Sequence, residues 1–139
     1  MRKSIAVTFI ALCALIGGAA VIAQSTSNVA ASGTATPLLT KTLPDVAGKE
    51  VAMLTVSYPP GGASPAHRHN ADVFVYVLEG AVVMQVAGGQ ELTVSAGQTF
   101  HELPTDIHSV SRNASMTAPA KILVFAIKAQ GAPLTVPAK

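Results

Sequence analysis

From residue 51 onward the chain is cut at short, regular intervals by glycine and proline. Pro59-Pro60-Gly61-Gly62, Gly80, Gly88-Gly89, Gly97 and Pro104 are the punctuation. The runs left between them are too short for helices, which need about 10–12 residues or more, but suit strands. Their composition agrees. Val51–Tyr58, Val73–Leu78, Ala81–Ala87, Glu91–Val94, Thr99–Leu103, His108–Arg112 and Lys121–Lys128 are rich in β-branched, aliphatic and aromatic residues. Gly88-Gly89 is a hairpin signal. Regular spacing of this kind predicts an all-β fold, a small barrel or sandwich.

The chain has 139 residues, enough for one domain. Met1-Arg2-Lys3 is a basic start, and Ile5–Ala23 follows without a charge, ending in small residues. Residues 1–23 are therefore expected to be a secretory signal peptide, giving a periplasmic or secreted bacterial protein. The run is also just long enough for an uncleaved anchor. Its glycine and alanine content and low leucine density favour cleavage. Removing Arg2 and Lys3 takes Lys+Arg from 9 to 7 against 7 acidic residues. The remaining domain is formally neutral, with no basic stripe for nucleic acid and no membrane segment. Cys13, the single cysteine, leaves with the same segment, so no disulfide or thiol chemistry is expected. Residues 24–36 are rich in Ser, Thr, Ala and Gly and read as a flexible linker. The ordered domain is expected over 37–139, with a loose or surface-lying tail from Gln130.

Three of the four histidines fall at His67, His69 and His108. On an extended segment, His67 and His69 project to the same side, because side chains alternate. A third imidazole from a distant strand closes a facial set of nitrogen ligands. Such a set suits a divalent transition metal: Mn, Fe, Co, Ni, Cu or Zn.

The flanking residues carry a resemblance. Gly61, then His67-Arg68-His69, then Tyr76-Val77-Leu78-Glu79-Gly80 resembles the first motif of the cupin superfamily. Gly97 followed by His108, with Pro104 between and Asn113 after, resembles the second. The similarity spans about residues 50–128. It implies a double-stranded β-helix (jelly-roll) barrel of the RmlC-like cupin type. It also implies a metal held inside the barrel by His67, His69 and His108, and pairing into a homodimer. Several positions depart from the pattern. Val73 stands where the motif usually has Glu, Leu103 where Pro is usual and Thr105 where Gly is usual.

A replacement carboxylate follows from strand periodicity. Phe100 and Glu102 share a face, so if Phe100 looks into the barrel, so does Glu102. Glu102 is the expected fourth metal ligand, and Asp72 is second, reaching the metal only if the loop after His69 bulges. His101 and Arg68, out of phase with their neighbours, are expected to face outward. Phe74, Tyr76 and Leu78 lie opposite Val73, Val75 and Val77. Both faces of that strand are apolar, which suits burial by the core or by a partner.

Three functions remain open. One is an enzyme with a small-molecule substrate at the metal, of oxygenase, isomerase or lyase type. Another is a non-catalytic module that binds a metal or small ligand. The third is a metal-free barrel with a structural role, its histidine nitrogens spent on backbone carbonyls. No catalytic triad, phosphate loop or second motif pair is present to choose between them, and one fold hosts many activities.

Overall fold

The computed structural model describes residues 31–138. The expected signal peptide and residues 24–30 of the expected linker lie outside the described residues. Eleven strands follow one another without a helix among the described residues: β1 Thr34–Thr42, β2 Lys49–Tyr58, β3 Ala63–Ser64, β4 His67–Arg68, β5 Ala71–Glu79, β6 Ala81–Val86, β7 Leu92–Ser95, β8 Thr99–Glu102, β9 Ile107–Asn113, β10 Ala120–Ala129 and β11 Val136–Pro137. They form two sheets. One runs β1-β2-β10-β5-β8; the other runs β11-β4-β9-β6-β7, with β3 also on β9. Every named pairing is antiparallel. The strands expected from the sequence are all present, within a residue or two at each end. This is the jelly-roll architecture.

The inner faces meet in a single aliphatic core. Strand β5 shows why its sequence folds this way: Val73, Val75 and Val77 are buried, while Phe74, Tyr76 and Leu78 are 44%, 44% and 40% exposed. Burying each valine is worth about 2 kcal/mol relative to leaving it in water. A one-residue slip would expose all three. Ile122, Val124 and Ala126 of β10 and Val82 and Met84 of β6 complete the packing. The chain changes sheets between β5 and β6 at Gly80, whose φ is +69°. A Cβ there would lie 2.7 Å from the Pro119 carbonyl oxygen, so this corner admits only glycine.

Two expectations need correction. Strand β1 begins at Thr34, so Thr34–Thr36 are strand and not linker. The segment lacks periodicity because it is an edge strand exposed along its whole length. No buried face imposes alternation, and Pro37 is tolerated at an edge, next to a register shift at Pro37/Leu39. Of the two expectations for the tail, lying along the surface fits and looseness does not. Val136 and Pro137 pair with Arg68 and His67 as β11, and Leu134 packs on the core.

Charged side chains also enter the interior at the end of β2 and β10. Glu50 and Lys128 are register partners and are both buried. Lys128 Nζ donates to Glu50 Oε1 and, at 2.6 Å, to the Ala132 carbonyl. Gly131 N donates to Glu50 Oε1 at 3.2 Å. The Lys128 hydrogen bond holds the Glu50 carboxyl below the usual carboxylate range. The pair ties down the turn that leads into the tail.

Candidate metal centre

His67 lies on β4 and His69 one residue beyond it, in the extended continuation the alternation requires. His67 Nδ1 is 2.9 Å from the Pro65 carbonyl oxygen. His69 Nδ1 is 2.9 Å from the Leu134 carbonyl oxygen. A carbonyl only accepts, so both Nδ1 atoms carry hydrogen. With both rings neutral, the Nε2 atoms are left with lone pairs, and they face one another at 3.1 Å. Two acceptors at that distance repel unless a cation lies between them. For metal–nitrogen bonds of about 2.1 Å, ligands at right angles are about 3.0 Å apart. Burial pushes the His67 imidazole below its ordinary pKa, with the neighbouring His69 and His108 adding to the effect. Its neutral, ligating form is thereby favoured.

His108 arrives from β9, directly paired with His67 across β4. It is 3% exposed. The ligating nitrogens of His67, His69 and His108 all lie within 4.8 Å of one another. Phe100 stacks on His108 with ring centroids 5.9 Å apart. Glu102 is 2% exposed, and its Oε2 lies 3.1 Å from His108 Nδ1 and 3.8 Å from His69 Nε2. Yet Glu102 Oε2 and both His108 nitrogens are buried without a hydrogen-bond partner. Buried polar groups are ordinarily paired, and an unpaired carboxylate is the costlier case. Three imidazoles converge here with the Glu102 carboxylate beside them, and nitrogen and oxygen donors of this kind suit a borderline-soft divalent ion. The residues present therefore fit a metal.

Glu102 occupies this place because β8 runs beside β5. It is the register partner of Val73 and points to the same inner face. The inner face that has Val73 where the motif usually has Glu thus holds a carboxylate one strand over, on the same rung. Asp72, the second candidate, points the other way. Its side chain is 45% exposed on the outer face, 4.0 Å from His101 Nε2. His101 is also outward, stacked on Phe74 at 4.7 Å. Arg68 is exposed. Asn113 is a buried clamp: its Nδ2 donates to the Pro59 and Ala118 carbonyls at 3.0 and 2.8 Å.

Beside the histidines lies a cavity of about 210 Å3, walled by Leu54, Val56, Val73, Val75, Ile122 and Val124. Both ends of the described chain contribute to it, through Gly33 and Ala35 on one side and Leu134 and Thr135 on the other. Sequence reasoning missed the Leu134 carbonyl, a backbone group with no side-chain signature.

Residues 54–126, just over half of the chain, match the cupin domain family. The chain belongs to the cupin family. No curated protein matches it. Among solved structures, it is similar to a cupin domain from Bordetella pertussis Tohama I. The identity is 20% and the TM-score 0.57, over 72% of this chain and 97% of that one. It is similar to a protein with a double-stranded β-helix domain from Klebsiella pneumoniae: 16% identity, TM-score 0.60, 78% and 86% of the two chains. It is also similar to the DMSP lyase DddQ from Ruegeria pomeroyi: 19% identity, TM-score 0.61, 76% of this chain and 51% of that one. Likeness at these identities concerns the fold, and this cupin's chemistry has to be argued from its own site.

Proposed function

We propose that this cupin binds one divalent transition metal through His67, His69, His108 and Glu102 and uses it to hold a small molecule in the adjoining cavity. The observation that carries the reading is the facing pair of Nε2 lone pairs at 3.1 Å, with both Nδ1 hydrogens occupied by carbonyls. The unpaired Glu102 Oε2 and His108 nitrogens support it. Mn, Fe, Ni, Cu and Zn all accept such donors. Four protein ligands leave one or two positions free on a six-coordinate ion. Such an ion supplies Lewis acidity toward a bound oxygen. The chain's own part is to orient the imidazoles through Pro65 and Leu134 and to keep water scarce with aliphatic walls.

An oxygenase, isomerase or lyase is the enzymatic form of this reading. The alternative is a non-catalytic module that binds a metal or a small ligand. It is favoured by the cavity lining, where Tyr58 is the one titratable group among the described residues besides the four proposed ligands. In either form we place the domain outside the cytoplasm, on the pattern of residues 1–23. We also propose a homodimer, on the half-exposed Phe74, Tyr76 and Leu78.

The test is elemental analysis of untagged protein, wild type beside a His67→Ala/His69→Ala variant. About one metal per chain, lost in the variant, is the expected result. Absence of metal from the wild type even after reloading, with the fold intact, overturns the reading. An exchangeable water on the bound ion speaks for catalysis, and a closed four-ligand site for the alternative.

A further inference from the structure

Farther along the sheet that carries the histidines, the cavity is lined by a cluster of hydroxyls. Tyr58 of β2 reaches inward, with its hydroxyl 2.9 Å from Ser64 Oγ and 2.8 Å from Ser111 Oγ. Tyr58 and Ser111 are 2% and 4% exposed, and all three residues line the cavity. The tyrosine is held in place from behind. A Cβ on Gly33 would lie 2.6 Å from Tyr58 Cε1, so the first described residues pack flat on the ring.

Strand parity alone would not bring this cluster to the metal side. His108 and Ser111 are three apart on β9 and would face opposite ways on a regular strand. The β6–β9 register shifts between Gln85 and Val86, where Val110 and His108 are the successive partners and Ser109 is left over. This bulge turns both His108 and Ser111 inward. At about 3.3 Å per residue, the two positions are about 10 Å apart along the strand. One small molecule can touch both.

The cluster can work in two senses. If Ser111 donates to Met84 Sδ, 3.5 Å away, then Tyr58 donates to Ser111 and Ser64 donates to Tyr58. Ser64 then offers lone pairs to the cavity. In the reverse sense Ser111 donates to Tyr58 and Tyr58 to Ser64, leaving the Ser64 hydrogen free. Reversal forfeits only a weak contact to a thioether. The cluster thus meets an uncharged oxygen, donor or acceptor, without leaving its own members unpaired.

Charge limits the other end of the ligand. Among the described residues lining the cavity there is no lysine or arginine. A divalent ion with neutral imidazoles and one carboxylate keeps a single positive charge. A buried charge calls for one compensating anion and not two.

We infer that the cavity takes a small aliphatic monoanion, its anionic oxygen at the metal and an uncharged hydroxyl or carbonyl oxygen at Ser64–Tyr58–Ser111. This inference rests on the metal reading above and deepens it. Ser64, Tyr58 and Ser111 are specificity-determining and do not themselves hold the ion.

The test uses Ni(II)-loaded protein, with nickel content measured separately for every variant. The probes are ω-hydroxycarboxylates of about three to six carbons, each against the alkyl carboxylate in which methyl replaces the hydroxyl. In the wild type, one chain length is expected to favour the hydroxyl by about tenfold in calorimetric titration. Ser64→Ala, which removes the hydroxyl that meets the ligand, is expected to erase that preference, and Tyr58→Phe, which removes its relay, to reduce it several-fold, with nickel content unchanged in both. The inference is overturned if no hydroxy probe outbinds its alkyl counterpart on nickel-loaded protein. A preference that survives both substitutions overturns it equally. Failure to retain nickel is a separate result: it removes the metal reading, and this inference with it.

Discussion

This barrel buries two clusters of charged and polar side chains, and they differ in one respect. At one place Glu50 and Lys128 are fully paired: each contacts the other and a backbone group of the 131–132 turn. At the other, Glu102 and His108 converge with His67 and His69 but leave their own polar atoms unpaired. The first cluster is complete within the protein, so it serves the fold. The second leaves polar atoms free for the metal proposed above. Buried polar groups as a class therefore say little about function; the unpaired ones say where a ligand goes.

The largest effect expected from this contrast is metal stabilisation. Metal at a hundredfold excess over its Kd should raise the unfolding free energy by about 2.7 kcal/mol. Denaturant titration of wild type and of His67→Ala/His69→Ala should show the gain in the first and none in the second. Next comes a crossing of effects between the two glutamates. Glu102→Gln should weaken metal affinity by about tenfold or more while the metal-free melting temperature holds or rises, because a buried unpaired carboxylate is removed. Glu50→Gln should lower the metal-free melting temperature and leave metal affinity alone. If both substitutions moved both quantities together, the separation between the clusters would be lost.

A subtler change reaches the metal through the backbone. A chain ended at Ala132 keeps the carbonyl that Lys128 uses but lacks the Leu134 carbonyl that orients His69. Its metal affinity should fall by about tenfold with the barrel intact by circular dichroism, since orienting groups beyond the ligands carry weight of that order. The acid side of the stability curve isolates the other cluster. The folded pKa of Glu50 lies below its ordinary value of 4.5. Its stabilising contribution is therefore present above that value and lost as pH falls through the folded pKa. Denaturation profiles between neutral and acid pH should fall less steeply in that range for Glu50→Gln than for wild type. The smallest effect belongs to Asp72→Ala, which should leave metal affinity unchanged. A loss there would mean that the outer carboxylate reaches the metal after all.

Much of this arrangement is legible in the sequence, for physical reasons that vary by residue. Strands β2 and β5 to β10 are readable because glycine and proline end them and a buried face imposes alternation. In β5 both faces are apolar, so alternation did not say which one the core takes; the valines are buried, and Phe74, Tyr76 and Leu78 are half-exposed. The outward half remains an open surface that the monomer leaves uncovered. Glu102 was readable from Phe100 by the period of two. The same rule applied to β10 would have turned Lys128 inward with Val124 and Ala126, although a lysine near a strand end looks like a surface residue. Three things were not readable. Strand β1 has no buried face to pattern it. Ser111 faces His108 only through a bulge that the sequence does not announce. Leu134 acts through a carbonyl, which every residue possesses.

The link between His69 and Leu134 spans 65 residues. His69 and the carbonyl that fixes its hydrogen on Nδ1 thus belong to distant parts of the sequence, and β11 closes on β4 beside them. The orientation of that imidazole is set by the tail and not by its own strand. A change confined to residues 133–137 can therefore alter the histidine cluster without touching a histidine.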